Sequence, residues 1–163
     1  MKLNESREEP IDRRFVETRF RKRRSLEADP KCCSGCRTCE MACSLSHGGS
    51  IDLERSRIYL KSNPFKGSFI PVICHHCSDA PCMEACPESA IEINREDGTV
   101  LIIDEKCNGC RLCERACPFR AIRFDEERRI VFKCDLCHGH PQCVAWCPTS
   151  TLGTAEFGGE SPL

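Results

Sequence analysis

The stretch Cys107-Asn-Gly-Cys-Arg-Leu-Cys-Glu-Arg-Ala-Cys-Pro118 decides how this 163-residue chain folds. Its first three cysteines are each separated by two residues, and a fourth follows after three more, directly before a proline. Cys113 and Cys117 are four positions apart, so on a helical turn their side chains lie on one face. The proline fixes φ and removes a backbone donor. The stretch therefore predicts a thiol-lined loop that leads into one short helical turn.

The pattern recurs along the chain as an internal repeat of four blocks. Sixteen of the 17 cysteines belong to the repeat, and only Cys32 is left over. Blocks 2, 3 and 4 end in Cys-Pro, whereas Ser44 follows the last cysteine of block 1 and leaves its local geometry open. The blocks are Cys33, Cys36, Cys39 and Cys43 (block 1); Cys74, Cys77, Cys82 and Cys86 (block 2); Cys107, Cys110, Cys113 and Cys117 (block 3); and Cys134, Cys137, Cys143 and Cys147 (block 4).

This number and spacing of thiols favours iron–sulfur clusters. A C-x2-C-x2-C loop holds one [4Fe–4S] cubane, and in runs of the bacterial ferredoxin type the cysteine before the proline binds the neighbouring cluster. Structural zinc sites use two separated pairs of ligands, which fits consecutive blocks of four poorly. Disulfides belong to oxidising compartments, and the charged N-terminus has no apolar export segment. We therefore expect metal-binding thiols in a reducing, cytoplasmic location, with zinc and disulfides as the alternatives.

The composition supports a domain that is held together by more than a hydrophobic core. Hydrophobic residues make up 40% of the chain, but this share includes the 17 cysteines, and small chains bury proportionally little surface. No apolar run approaches the roughly 20 residues that cross a bilayer, so we expect no transmembrane segment. The net charge of −1 argues against a nucleic-acid-binding protein.

On these motifs, residues 31–150 resemble the four-cluster ferredoxin-type electron-transfer subunits of molybdenum and tungsten oxidoreductases, hydrogenases and related complexes. In that family, blocks 1 and 4 share two clusters, and so do blocks 2 and 3. The resemblance thus implies four [4Fe–4S] clusters, and no ligand position is substituted. The implied ligand sets are Cys33, Cys36, Cys39 and Cys147 (site A); Cys43, Cys134, Cys137 and Cys143 (site B); Cys74, Cys77, Cys82 and Cys117 (site C); and Cys86, Cys107, Cys110 and Cys113 (site D).

The resemblance also implies a function. It predicts a non-catalytic subunit that relays single electrons between a catalytic subunit, with a tungsten or molybdenum pterin, and another redox partner such as a ferredoxin. The stretches Cys39–Cys43 and His75–Cys77 are most similar to the small subunits of tungsten aldehyde oxidoreductases and benzoyl-CoA reductases. Formate dehydrogenase, hydrogenase and carbon monoxide dehydrogenase complexes remain open, and a zinc-stabilised binding module is the alternative from another class. The sequence shows no phosphate-binding loop or catalytic triad, and it leaves the substrate and the direction of electron flow open.

The fold class expected is α+β, with tandem bacterial-ferredoxin-like modules organised around the clusters. Short helices are expected between the third and fourth cysteines of each block, and β-hairpins after blocks 2 and 3, the first with an Asp97-Gly98 turn. Residues 30–152 are predicted to form the four-cluster domain. Its insertion, residues 44–73, has a predicted strand at Arg57–Leu60 and a turn at Pro64–Gly67. Residues 1–29, which are basic, and 153–163 are predicted to be flexible.

A few other residues carry weaker predictions. His75, His76, His138 and His140 lie in the cysteine loops, where they are either donors to cluster sulfur or exposed loop residues. Trp146 is expected to pack over a cluster edge. Gly35 and Gly109 are expected to adopt positive φ so that the loop can approach a cluster. The basic stretch Arg13–Arg24 is interpreted as a solvated or partner-docking arm.

Overall fold

The computed structural model describes residues 23–63 and 65–157, in which each cysteine block leads into a short helix. The helices are α1 (Thr38–Gly48), α2 (Pro81–Glu84), α3 (Leu112–Ala116) and α4 (Gln142–Ala145). Each contains the third cysteine of its block, as predicted. Helices of four or five residues do not form in isolation, so packing and the groups bound by the thiols must hold them.

The strands form four separate two-stranded antiparallel sheets in the described residues: β1 with β8, β2 with β3, β4 with β5, and β6 with β7. The fold is therefore α+β, as expected. The strands are β1 (Arg23–Ala28), β2 (Tyr59–Asn63), β3 (Ser68–Val72), β4 (Ile91–Ile93), β5 (Val100–Ile102), β6 (Arg123–Asp125), β7 (Ile130–Phe132) and β8 (Leu152–Phe157).

The two hairpins predicted after blocks 2 and 3 are confirmed. In the first, Gly98 has φ +70° and its N–H donates to the carbonyl of Asn94 at 2.9 Å. In both, one face is apolar, and Ile91, Val100 and Val131 are buried with Cys113 in one core. Each hairpin therefore covers one side of a cysteine loop.

The pairing of β1 with β8 corrects the predicted boundaries. Residues 23–28 and 153–157 were expected to be flexible, but they pair from Arg23 opposite Phe157 to Ala28 opposite Leu152. Leu26, 1% exposed, and Leu152, 4% exposed, are buried in the other core. Charged residues surround Leu26 in the sequence, so the sequence does not indicate a strand here. Residues 1–22 and 158–163, which include most of the predicted basic arm, lie outside the described residues.

The insertion after block 1 forms a longer helix and a hairpin. Without a proline after Cys43, α1 continues to Gly48 and ends where Gly49 adopts φ +69°. Ser44 is buried there, and its Oγ accepts the N–H of Asp52 at 3.1 Å. The predicted strand begins two residues later than expected, at Tyr59, and residues 65–67 form the turn.

Helix packing pairs the blocks in a nested order. Helix α1 packs against α4, and α2 packs against α3, so block 1 meets block 4 and block 2 meets block 3. Two hydrophobic cores follow this division in part: the core of blocks 1 and 4 also includes Cys74 of block 2, and Cys117 contacts both cores. Within the described part of the chain, no helix is long and apolar enough to span a bilayer.

Candidate iron–sulfur sites

All 17 cysteines lie among the described residues, and none is in a disulfide. Their thiols are free to bind metal. The pairing of helices brings cysteines of different blocks together, and the four groups that result can be compared with the predicted sites A to D.

The cysteines of site A line one cavity. Cys39 lies on α1, and Cys147 follows α4, which packs against α1. The cavity has an empty volume of about 280 Å³, including its open mouth, and its lining includes all four predicted ligands, Cys33, Cys36, Cys39 and Cys147. Its apolar walls are formed by Leu60, Pro71 and Leu152. Four thiols around a partly enclosed apolar space fit the donor set of a [4Fe–4S] cluster.

Site D has the same arrangement in the other half of the domain. Cys113 lies on α3, and Cys86 follows α2, which packs against α3. A cavity of about 270 Å³ is lined by Cys86, Cys107, Cys110 and Cys113, with Ile91, Ile102 and Val131 as apolar walls.

The cysteines of site B lie together in the interior. Cys143 is 5% exposed, and burial raises the pKa of its thiol. The charges of Cys134, Cys43 and Cys137 raise that pKa further, in this order, and Cys43, Cys134 and Cys143 pack in one hydrophobic core. They are the remaining members of the predicted set.

The cysteines of site C are grouped in the same way. Burial raises the pKa of Cys82 to about 11, and the charges of Cys74, Cys117 and Cys77 add to the effect while Lys133 opposes it. Four thiolates this close together would repel one another. A cationic iron core would remove this repulsion, because metal binding deprotonates coordinated thiols.

Close thiols also join each site to the next. In each joining pair, burial is the largest cause that raises the pKa of one thiol, and the charge of the other makes a smaller contribution in the same direction. The pairs are Cys39 with Cys143, Cys74 with Cys134, and Cys82 with Cys113. These pairs fit the order A, B, C, D, which stays a prediction.

Backbone amides donate to several of the thiols. Ala90 donates to Cys86 Sγ at 3.3 Å and Ala121 to Cys117 Sγ at 3.4 Å, each from four residues further along the chain. The Cys-Pro turn produces this geometry, because the residue three positions after the cysteine has positive φ at Ser89, at Arg120 and, in block 4, at Ser150. Amide hydrogen bonds favour the thiolate form of a cysteine.

Gly35 and Gly109 have φ +73° and +72°, as predicted, but they approach protein atoms. A Cβ atom at Gly35 would overlap the ring of Phe69, and one at Gly109 would overlap the carbonyl oxygen of Arg129. The glycines therefore let a hairpin close over each loop.

Sequence analysis missed an ion-pair network beside site B. His47 lies one helical turn after Cys43, with Nδ1 2.8 Å from the Cys43 carbonyl and Nε2 3.0 Å from Asp135 Oδ1. Hydrogen bonds, first with Asp135 and then with Cys137 and Cys43, raise the pKa of His47 to about 12. Arg57 Nη1 lies 2.5 Å from Asp135 Oδ2.

His47, Asp135 and Cys137 are near enough to share a metal ion, but both nitrogens of a protonated His47 are donors. The trio is therefore a structural network. The one-turn spacing from Cys43 was the only hint in the sequence.

Among the described residues, no loop histidine is hydrogen-bonded to a cysteine sulfur, and donation to cluster sulfur stays a prediction. His138 and His140 are exposed, and the exposed ring of His75 lies 4.2 Å from that of Phe119, measured between centroids. His76 is buried, which lowers its pKa to about 3, and its Nδ1 accepts the N–H of Val100 at 3.1 Å.

Trp146 and Cys32 both lie at the surface of the protein. Trp146 is 64% exposed on the protein surface, and its packing over a cluster edge stays a prediction. Cys32 is also exposed, with its Sγ 3.6 Å from Asp29 Oδ2, and it does not line the cavity of site A. This position agrees with its place outside the four blocks of the repeat.

The chain is similar to known iron–sulfur proteins. The profile of a family described as "4Fe-4S dicluster domain" matches residues 65–157. The chain is 43% identical to the polyferredoxin-like subunit of aliphatic sulfonate oxidoreductase from Pyrococcus furiosus, over 72% of this chain and 68% of that protein. It is 35% identical to formate hydrogenlyase subunit 2 of Escherichia coli, over 79% and 80% of the two chains. Among solved structures, a chain of the BamBC active-site complex of benzoyl coenzyme A reductase with benzoyl-CoA matches with a TM-score of 0.53 and 26% identity, over 87% of this chain and 84% of that chain.

Proposed function

The chain belongs to the 4Fe-4S dicluster domain family, and we propose that it is the non-catalytic subunit of an oxidoreductase complex in which it relays single electrons. One partner is a catalytic subunit with a tungsten or molybdenum pterin, and the other is a second redox protein such as a ferredoxin. The observation that supports this proposal most directly is the grouping of sixteen free cysteines into four sets of four.

The four sets are proposed to hold one [4Fe–4S] cluster each, which when bound takes up and gives up one electron. The chain's own residues would fix the position and the surroundings of each cluster. Leu60 and Leu152 at site A, and Ile91 and Val131 at site D, would exclude water. Amide donors such as that of Ala121 would stabilise negative charge on the ligand sulfurs.

The order A, B, C, D suggests the path of the electrons. Cys36 at site A and Cys110 at site D are exposed, whereas Cys43, Cys134 and Cys143 at site B and Cys74 at site C are buried. We propose that electrons enter and leave at sites A and D, because a partner can approach these two sites.

Similarity to named subunits supports the proposal of a catalytic partner. The relatives in Pyrococcus furiosus and Escherichia coli are named as oxidoreductase and hydrogenlyase subunits, and the structural neighbour is part of an active-site complex. These names support an oxidoreductase as the partner, and the tungsten or molybdenum pterin in it is the finer part of the proposal.

Purification of the native complex under anaerobic conditions tests this function. We expect the chain to elute with a larger subunit that contains tungsten or molybdenum, and the substrate of that subunit to reduce the chain's clusters. A chain that carries clusters but elutes alone, and that no pterin enzyme in the same extract reduces, would contradict the proposal.

A further inference from the structure

Lys133 is a buried lysine between the two halves of the domain. It is 4% exposed, although lysine is rarely buried without a charged partner. Its Nζ donates to the carbonyl of Val100 in β5 and, at 3.3 Å, to the carbonyl of Cys134 in block 4. It therefore connects the hairpin that follows block 2 with the loop of block 4.

No carboxylate among the described residues forms a salt bridge with Lys133. Burial of an ammonium without a counter-charge is strongly unfavourable, and two carbonyl groups compensate for it only in part. The charge of Lys133 acts on thiols of two different sites. It lowers the pKa of Cys82 at site C and of Cys134 at site B, against the larger opposite effect of burial on both.

We propose that the ammonium of Lys133, buried between sites B and C, raises the reduction potential of both sites. This inference rests on the proposed function, because it requires clusters at these sites. Four thiolates around an oxidised core of about +2 give each site a net charge of about −2. Reduction adds one electron from the neighbouring site of the relay, and no bond forms or breaks. A fixed positive charge stabilises the more negative reduced state more strongly than the oxidised state.

The chain offers a matched control in Lys106. It precedes Cys107, the first cysteine of block 3, as Lys133 precedes Cys134, the first of block 4. Its side chain is 49% exposed and forms an ion pair with Glu92 at 2.5 Å. Water and the carboxylate screen its charge, so it is expected to have little effect on site D.

The test is a redox titration, monitored by electron paramagnetic resonance, of the anaerobically purified holoprotein with iron and sulfide counted. In Lys133→Met, two of the four reduction steps should shift so that the ratio of reduced to oxidised sites at a fixed solution potential falls at least tenfold. This change is ~59 mV for a one-electron couple. The other two steps should not move. In Lys133→Arg, the same ratio of reduced to oxidised sites should stay within threefold of the wild-type value. In Lys106→Met, the ratio should equal the wild-type value.

A fully loaded Lys133→Met protein with all steps at wild-type potentials would overturn the inference. If this variant loses iron, Lys133→Gln, which keeps a donor for the carbonyls, takes its place in the same titration. Loss of iron from both neutral variants but not from Lys133→Arg would also overturn it, because the charge would then serve assembly. A wild-type protein without iron and sulfide would instead overturn the proposed function.

Discussion

Single residues at positive φ shape the cysteine loops. Gly35 and Gly109 occupy the same position in their blocks, directly before the second cysteine, and each lies under a hairpin from its own half of the domain. Sequence alone predicted the backbone conformation of both. It did not predict what approaches them, because Phe69 and Arg129 come from later segments that fold back over the loops.

Gly109→Ala is predicted to damage site D alone. The new Cβ would overlap the carbonyl of Arg129, at a φ that alanine rarely adopts. We expect a cost of about 1–3 kcal/mol, seen as a lower Tm, and a fall from about 16 to about 12 irons per chain. The control is Gly48→Ala in α1, where a Cβ would meet nothing within 4 Å and should stabilise by about 0.5–1 kcal/mol. An unchanged iron content in Gly109→Ala would contradict this account of the loop.

At the level of single elements, the β1–β8 sheet closes the half of the domain that contains sites A and B. Leu26 in β1 packs in one core with Leu152 in β8 and with Cys39 and Cys143. The hairpins after blocks 2 and 3 could be predicted because a local turn joins their strands. The strands β1 and β8 could not, because they lie at opposite ends of the described chain and each is short and interrupted by charged residues.

Leu26→Ala is therefore predicted to destabilise the protein and to loosen sites A and B. Truncation of a fully buried leucine costs about 2–5 kcal/mol, which should lower the Tm and speed the release of iron from these two sites under a chelator. Ile51→Ala is the control, since Ile51 is 63% exposed and surface truncations change stability by about 0.5 kcal/mol or less. Equal rates of iron release from all four sites in Leu26→Ala would contradict the prediction that β1 stabilises sites A and B in particular.

Helix α3 is predicted to present two cysteines to two different sites. Cys113 lines the cavity of site D, whereas the charge of Cys117 acts on Cys82 of site C. Cys117→Ser should therefore remove or convert the cluster at site C, in a different block, while the three other block 3 cysteines keep that of site D.

Spectra of the two sites in the Cys117→Ser protein decide this point. The control Cys32→Ser should keep every cluster, because Cys32 is exposed and lies outside the cavity of site A. Damage confined to the site of Cys107, Cys110 and Cys113 would mean that the ligand sets do not cross between blocks.

At the level of the whole molecule, the chain passes from block 1 through blocks 2 and 3 and returns to block 4. This route places α1 against α4 and α2 against α3, and it groups the thiols into four neighbouring sets. The cysteine spacing alone predicted the chemistry, and resemblance to a family supplied the pairing of blocks. The burial of Lys133 and the partly buried pair of His47 and Asp135 were not predicted, because each depends on contacts between distant segments.

The central claim is that all four cysteine sets carry a [4Fe–4S] cluster, and metal analysis of the anaerobically purified chain tests it most directly. We expect about 16 irons and about 16 acid-labile sulfides per chain, with broad absorbance at about 400 nm that decreases on reduction. About eight of each would contradict it, as would a few zinc ions without sulfide.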